Sequence, residues 1–268
     1  MSGKQEAVLH KPHTGIVPEG RPSGKPPFLS KKKKLLITDE ELDAFYTLLR
    51  KYYHLSHPYD RKKVASEEAC YRAIARLSHL FANLKRATVL NEDRVIPRQS
   101  TIYTSNHIGS FDQFYIAKAL GYTTPLHYLV KQKVTRWPIR WNLIYKPTGV
   151  VVVDTASISS WKQAKAKLIQ YLLNGGNVFI FAEGSRRGEN NAGEFSSGVA
   201  QIAQDAGCNV CTLALKNTVS LFSKNPIICV GDILSIDTRK DIKVATEQIK
   251  SSVMKAYQEI LEYESGCK

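Results

Sequence analysis

The chain has 268 residues, 43% of them hydrophobic, which is enough for one large α/β domain or two smaller ones with a buried core. Its 38 Lys and Arg against 24 Asp and Glu give a formal net charge of +14, which indicates an anionic partner such as nucleic acid, an acidic lipid surface or a phosphorylated small molecule. No run approaches the roughly eighteen apolar residues of a membrane-spanning helix, and the first residues lack the apolar core of a signal peptide, so we expect a soluble or peripheral protein. The five scattered cysteines argue against a disulfide framework and favour a reducing, cytoplasmic compartment.

Residues 1–34 are rich in Gly, Pro, Ser and Lys and contain little apolar material, so we expect a disordered basic tail. Its last four residues, 31–34, are all lysine. Such a run attracts anionic lipid headgroups, although a solvated linker has the same composition.

Residues 35–85 are predicted to form a helical hairpin. Thr38 or Asp39 caps the first helix, and apolar residues at Leu42, Phe45 and Leu49 follow at helical spacing. A second helical pattern covers 60–84. The apolar sides of the hairpin cover either the main domain or a membrane surface.

From about residue 86 to 268, short apolar runs alternate with amphipathic segments. Predicted strands cover 87–90, 101–105, 126–130, 149–153, 178–181, 210–215 and 227–230; predicted helices cover 111–120, 134–143, 160–173, 196–206 and 241–263. In the clearest helix, 160–173, Ser159 or Ser160 is the predicted cap and Gly175-Gly176 ends it. This alternation predicts an α/β fold with a mostly parallel sheet flanked by helices, preceded by the N-terminal two-helix segment.

The first candidate site follows the strand at 101–105. Its sequence is Asn106-His107-Ile108-Gly109-Ser110-Phe111-Asp112. An Asp in the first helical turn can reach back to one imidazole nitrogen of His107 and leave the other facing a cleft, which is typical of a general base. The same spacing also occurs where an Asp only caps a helix.

The second candidate site, Phe181-Ala182-Glu183-Gly184-Ser185-Arg186-Arg187, follows the strand at 178–181. The carboxyl ends of parallel strands share one edge of a sheet, so both sites should emerge together. There Arg186 and Arg187 can hold a phosphate and Gly184 allows close approach of the backbone to a ligand. Two solvated arginines after a glycine turn are the simpler alternative.

Cys208-Asn209-Val210-Cys211 is a lone Cys-x-x-Cys pair. With no second pair and no nearby histidine it lacks the four ligands of a zinc site, so we expect two thiols at a buried strand and no metal.

Together, the two sites resemble the motifs of the glycerolipid acyltransferases, the lysophosphatidic acid and glycerol-3-phosphate acyltransferase family. The first resembles Asn-His, four residues, Asp, and the second resembles Phe-Pro-Glu-Gly-Thr-Arg. Between them, Lys131, Pro138 and the run Gly149 to Asp154 are similar to the segment that leads to the family's second motif. The resemblance extends from about residue 101 to 215.

The resemblance implies transfer of a fatty acyl group from an acyl-CoA or acyl-carrier-protein thioester to a glycerolipid hydroxyl, 1-acylglycerol 3-phosphate first among acceptors, without a cofactor. His107 would be the general base and Asp112 would fix its tautomer; backbone N–H groups near Gly109 are candidate oxyanion donors. The implied substrate-binding residues are Asn106, Glu183, Gly184, Ser185, Arg186 and Arg187. An anionic membrane surface at the inner face of a membrane is the expected location.

Departures from the family pattern leave the acceptor open. Thr155 stands where an Arg usually follows the Asp of the second motif, Ala182 replaces Pro, and Thr212 replaces the Pro of the fourth motif. Glycerol 3-phosphate, another lysophospholipid and an amine therefore remain alternative acceptors. Two rival functions are a serine hydrolase using Ser185 or Ser110, which lacks a Gly-x-Ser-x-Gly elbow, and a non-catalytic basic module that binds membrane or nucleic acid.

Overall fold

The computed structural model of the protein describes residues 59–95, 100–186, 193–219 and 225–266. The predicted tail at 1–34, the first helix of the predicted hairpin, and Arg187 lie outside the described residues.

Helices and strands alternate along the described chain, as the hydrophobic pattern predicts. The strands are β1 (Thr88–Leu90), β2 (Thr101–Ser105), β3 (Leu126–Lys131), β4 (Val151–Val153), β5 (Asn177–Phe181), β6 (Asn209–Lys216) and β7 (Ile227–Ser235). The long helices are α1 (Arg61–Leu84), α2 (Asp112–Leu120), α3 (Ile158–Leu173), α4 (Gly198–Ala206) and α5 (Ile242–Gly266). Short helical turns cover Glu92–Arg94, Gln132–Arg136, Pro138–Arg140 and Trp141–Tyr145.

The seven strands form one sheet in the order β1-β7-β6-β2-β5-β3-β4. Neighbours from β6 to β4 are all parallel, whereas β7 is antiparallel to β6 and parallel to β1. The predicted mostly parallel α/β fold is therefore confirmed. The carboxyl ends of β2, β5 and β6, the three central strands, meet at one edge, where ligands bind in such sheets.

Helices cover both faces of the sheet because alternate strand residues point to opposite sides. On one face, α1 and α2 bury Tyr71, Tyr115 and Ile116 against the sheet residues Tyr103 and Phe179. On the other face, α3 and α4 bury a second apolar cluster around Leu168, Ile202 and Val210. The core thus holds the central strands rigidly on both sides.

Three local predictions were inexact. The cap of α3 is Ser157, whose hydroxyl accepts from Ser160 N at 3.1 Å, whereas the Ser160 hydroxyl accepts from Asp154 N at 2.9 Å. Gly149 has φ +66°, so β4 begins only at Val151. The single helix predicted over 134–143 is three short turns, because Pro138 cannot continue a preceding helix and instead starts a new one.

None of the helices within the described ranges is both long and apolar enough to cross a membrane.

Candidate active site

The two candidate sites leave adjacent strands at the same edge of the sheet. Strands β2 and β5 pair in parallel with Ser105 opposite Phe181, so each chain turns away from the sheet at the same level. The Thr104 hydroxyl donates to the Ile180 carbonyl at 2.7 Å, which adds a side-chain bond to the ladder. This register brings the residues after Ser105 and after Phe181 together, as parallel pairing predicts.

His107 and Asp112 form the centre of the arrangement. The Nδ1–H of His107 donates to Asp112 Oδ2 at 2.7 Å, because a carboxylate can only accept. The Asp112 side chain is 1% exposed and that of His107 is 18% exposed. With Nδ1 carrying the proton, Nε2 of His107 has the lone pair that a general base requires.

The Asp112 carboxylate is buried but surrounded by donors. Besides His107, it accepts from Ile108 N at 2.9 Å, from Gly109 N at 3.0 Å and from the Thr218 hydroxyl at 2.7 Å. These bonds replace the water that the buried charge has lost. The prediction that N–H groups near Gly109 would face an oxyanion is wrong for Ile108 and Gly109, since both bind Asp112.

No sequence motif marks Thr218 as part of the site. It lies just beyond β6, 106 residues from Asp112, and is fully buried. The backbone there approaches so closely that a Cβ on Gly109 would lie 2.5 Å from Val219 Cα and 2.8 Å from Thr218 O. Gly109 is therefore required by packing against this segment, a long-range contact that no local pattern encodes.

The imidazole of His107 is also fixed by an aromatic ring from the second site. Its ring stacks on Phe181 with centroids 3.9 Å apart and planes 17° apart. Phe181 in turn packs edge to face on Phe179 at 4.9 Å. The last residue of β5 thus sets the plane of the ring, while Asp112 sets its rotation and tautomer.

Asn106 anchors the first turn to the neighbouring strand. Its Nδ2 donates to the Leu215 carbonyl at 2.9 Å and its Oδ1 accepts from Leu215 N at 2.8 Å. Because both ends of the amide are bound to the β6 backbone, Asn106 positions the first turn against β6. Its predicted contact with substrate stays a prediction.

The turn after β5 carries the remaining predicted residues. Glu183 is buried, Gly184 has φ +64° and its N–H donates to the Phe181 carbonyl at 3.0 Å, and Ser185 is half-buried. Arg186 is exposed at the same edge as His107. Gly184 is thus required by its left-handed backbone, since nothing lies within 4 Å of its added Cβ.

The residues at the position of the family's second motif lie away from strand β2 in the sheet. Asp154 follows β4, which is separated from β2 by β5 and β3, and its Oδ1 accepts from Ala156 N at 3.0 Å. Thr155 is exposed.

An apolar pocket of about 160 Å³ adjoins the first turn. Its walls include Ser110, Phe111, Tyr128, Arg140 and Tyr145. Burial raises the pKa of Tyr128 well above its usual range, so its phenol is neutral. The pocket can therefore receive an apolar group within a short distance of the residues that follow His107.

The Cys-x-x-Cys pair takes no part in the site. Cys211 is buried in β6 and Cys208 precedes that strand, and burial raises the pKa of both thiols to about 12. Over the portions of the chain that are described, no three His, Cys, Asp or Glu side chains form a group that could hold a metal ion.

A mostly parallel α/β sheet with a His–Asp pair at the carboxyl ends of its central strands defines an α/β enzyme domain. A family model described as Acyltransferase matches residues 86–216, which include both motifs. Over these residues the chain is similar to the acyltransferase family.

Two curated relatives and one solved structure are similar to this chain. The chain is 28% identical over 160 residues to a 1-acyl-sn-glycerol-3-phosphate acyltransferase of Borreliella burgdorferi, covering 60% of this chain and 62% of that protein. It is 29% identical over 119 residues to a lyso-ornithine lipid O-acyltransferase of Pseudomonas aeruginosa, covering 44% of each chain. The crystal structure of the 1-acyl-sn-glycerophosphate acyltransferase PlsC from Thermotoga maritima has the same fold, with a TM-score of 0.52, 16% identity, and coverage of 78% of this chain and 87% of that one. The matches span about three fifths or less of the length of these curated relatives.

Proposed function

We propose that the protein transfers a fatty acyl group from an acyl-CoA or acyl-carrier-protein thioester to the hydroxyl of a lysoglycerophospholipid, with 1-acylglycerol 3-phosphate as the preferred acceptor. The observation that carries the proposal is the His107 Nδ1–Asp112 bond of 2.7 Å at the carboxyl edge of the sheet. It leaves the second imidazole nitrogen available as a base, and an apolar pocket is lined by Ser110 and Phe111 of the same turn. The relative from Borreliella burgdorferi supports the choice of acceptor.

The first step is proton transfer from the acceptor. An alcohol has a pKa far above neutrality and attacks a thioester only when a base removes its proton. His107 Nε2 takes this proton as the alcohol oxygen bonds to the thioester carbonyl carbon. Asp112 stabilises the imidazolium that forms, and the Phe181 ring keeps the imidazole plane fixed.

The second step is collapse of the tetrahedral intermediate. The carbon–sulfur bond breaks, the thiolate leaves, and it receives the proton held by His107, which restores the resting imidazole. General-base help of this kind contributes roughly 10² to 10⁴ in rate, so positioning must supply a large part of the acceleration. This route needs no cofactor and no acyl-enzyme.

The acceptor phosphate is assigned to the turn after β5. Arg186 is exposed there and its guanidinium matches a phosphate through forked hydrogen bonds, with Arg187 as a second candidate. Glu183, which is buried in the same turn, orients either an acceptor hydroxyl or Arg186. Gly184 and Ser185 complete the contact surface of this turn.

Two observations support a second class of acceptor as an alternative to 1-acylglycerol 3-phosphate. Thr155 removes one arginine that the family pattern places near the phosphate, and one relative acts on a lyso-ornithine lipid. Another lysophospholipid, glycerol 3-phosphate or an amine is therefore the alternative acceptor. From the net charge of +14 and the proposed lipid acceptor, we infer a peripheral enzyme of phospholipid biosynthesis at the inner, cytoplasmic face of a membrane.

The test is acyl transfer by the purified full chain. The donors are acyl-CoA and acylated acyl-carrier protein, each with a labelled acyl group. The acceptors compared are 1-acylglycerol 3-phosphate, glycerol 3-phosphate, lyso-ornithine lipid, other lysophospholipids and water. We expect diacylglycerol 3-phosphate as the main product, loss of about 10² to 10⁴ in kcat in His107→Ala, and near-parent activity in the control His79→Gln. A folded His107→Ala variant with parent activity contradicts the base assignment, and release of free fatty acid without an acceptor indicates a hydrolase.

A further inference from the structure

Residues 131–146, called segment 131–146 below, carry a surface of unusual composition. Three large apolar side chains stand in solvent: Trp137 is 68% exposed, Ile139 75% and Leu143 69%. Exposed apolar residues are common singly, but three of this size within seven residues form a patch that indicates a binding surface. Nothing in the proposed chemistry uses them.

The same segment is strongly cationic. It contains Lys131, Lys133, Arg136, Arg140 and Lys146, and no Asp or Glu occurs anywhere between Asp112 and Asp154. Each of these cations except Lys131 is exposed. An apolar patch surrounded by uncompensated positive charge complements one kind of surface, a bilayer with anionic headgroups around an apolar interior.

The backbone of the segment suits a shallow position at such a surface. Its three short helical turns, Gln132–Arg136, Pro138–Arg140 and Trp141–Tyr145, satisfy backbone groups locally, including Lys146 N bonded to the Trp141 carbonyl at 2.8 Å. Backbone groups that are already bonded cost less to bring into an apolar medium. Trp137 lies at the start of this region, and tryptophan is enriched at the level of lipid headgroups.

The segment also borders the pocket beside the candidate active site. Arg140, Ile144 and Tyr145 form part of the pocket wall, and the Arg140 guanidinium lies 5.7 Å from the centre of the Phe111 ring. A bilayer resting on Trp137, Ile139 and Leu143 would thus lie next to this pocket, whose wall also includes Ser110 and Phe111 of the turn after His107.

We infer that segment 131–146 docks the protein on an anionic lipid bilayer, with Trp137, Ile139 and Leu143 entering the interface and the surrounding cations binding headgroups. The exposed leucines of α1, Leu77, Leu80 and Leu84, are a separate surface. The first helix of the predicted hairpin is a candidate to cover those leucines. The positive charge of segment 131–146 instead complements an anionic lipid surface.

The experiment measures binding of the full chain to vesicles without turnover. Phosphatidylcholine vesicles with and without phosphatidylglycerol are compared by co-sedimentation for three proteins. These are the parent, the apolar variant Trp137→Ser/Ile139→Ser/Leu143→Ser, and the control variant Val244→Ser/Met254→Ser/Leu261→Ser on α5. The control residues are also exposed, at 55%, 40% and 37%.

The apolar variant is expected to lose at least about tenfold in vesicle affinity while the α5 control binds as the parent. A charge variant, Lys133→Gln/Arg136→Gln/Lys146→Gln, should lose about fivefold per cation on anionic vesicles and little on neutral ones. Its control is Lys240→Gln/Lys243→Gln/Lys250→Gln. In the parent, vesicles should shift tryptophan emission to shorter wavelength, and Trp137→Phe should remove most of that shift.

Parent-like vesicle binding by both the apolar and the charge variants overturns the inference, as does an equal loss in the α5 control. If the apolar variant binds vesicles normally but changes its oligomeric state, the patch joins two copies of the chain. If instead it binds vesicles normally but unfolds more readily without lipid, the patch is covered by the chain itself. Because no acyl transfer is measured, each outcome is independent of the proposed function.

Discussion

Replacing Gly109 by Ala tests how the candidate active site is held together. A Cβ at this position would lie 2.5 Å from Val219 Cα and 2.6 Å from Val219 O, and both are backbone atoms that cannot rotate away. Ordinary contact begins at 3.4 Å, so the segment carrying Thr218 and Val219 must retreat by about 0.9 Å. Thr218 donates to Asp112 over only 2.7 Å, and a retreat of that size takes its hydroxyl out of hydrogen-bonding range.

Two costs follow from this displacement. Overpacking of a buried site costs about 1 to 3 kcal/mol, and loss of a hydrogen bond to a buried charge costs a further 1.5 to 3 kcal/mol or so. We therefore expect Gly109→Ala to lower the free energy of unfolding by about 3 kcal/mol or more, and kcat by about 10²-fold because the His107–Asp112 pair is displaced.

The measurements are urea unfolding at constant pH and initial rates of acyl transfer to 1-acylglycerol 3-phosphate. Gly184→Ala is the matched control for stability, because its added Cβ meets nothing within 4 Å and only its φ of +64° is strained. It should cost about 1 kcal/mol. If Gly109→Ala is no less stable than Gly184→Ala and keeps the parent kcat, the reasoning from close packing is refuted.

Three further predictions concern the hydrogen bond from Thr218 to the Asp112 carboxylate, the phosphate contact of Arg186, and the pH dependence of stability. Thr218→Val should lower the free energy of unfolding by about 2 kcal/mol and reduce kcat, while Thr218→Ser, which keeps the hydroxyl, should resemble the parent in both measurements. Arg186→Ala should raise the acceptor KM by about tenfold or more and leave the donor KM unchanged; equal changes in the two KM values would exclude a phosphate clamp. Burial lowers the pKa of His127 from 6.5 to about 4, so its protonation opposes folding and stability should fall as pH drops from 6.5 toward 4. The loss should reach about 2 kcal/mol at pH 5, and urea unfolding of His127→Gln should lack that part of the pH dependence.

Local sequence patterns were sufficient for the elements that position the site. The apolar runs at 101–105 and 178–181 became β2 and β5, and their parallel pairing brought the two motifs to one edge. The five-residue separation of His107 and Asp112 also sufficed, because an Asp at the start of α2 reaches back over a single turn. The second inference depends only on short-range geometry, whereas the shared edge of β2 and β5 follows from the alternation of strands and helices along the chain.

Contacts between distant parts of the chain were not predictable in the same way. Thr218 and Leu215 lie beyond 100 residues from their partners Asp112 and Asn106, and a threonine after a strand has no pattern that marks it as a ligand of a carboxylate. The N–H groups of Ile108 and Gly109 are a different case: both donate to Asp112, only four and three residues away, a local contact that the sequence pattern did not distinguish from an oxyanion site.

The position of Thr218 shows that residues from three strands or their loops hold the imidazole of His107 in place. Strand β2 delivers His107, β5 delivers Phe181 against its ring, and the loop after β6 delivers Thr218 to Asp112. These strands are neighbours in the order β6-β2-β5, with β2 in the middle, so each flanking strand reaches the turn after β2 from one side. The imidazole is therefore restrained from two directions by core elements. A change at Gly109 or Thr218 should alter the chemical step even though neither side chain would touch a substrate.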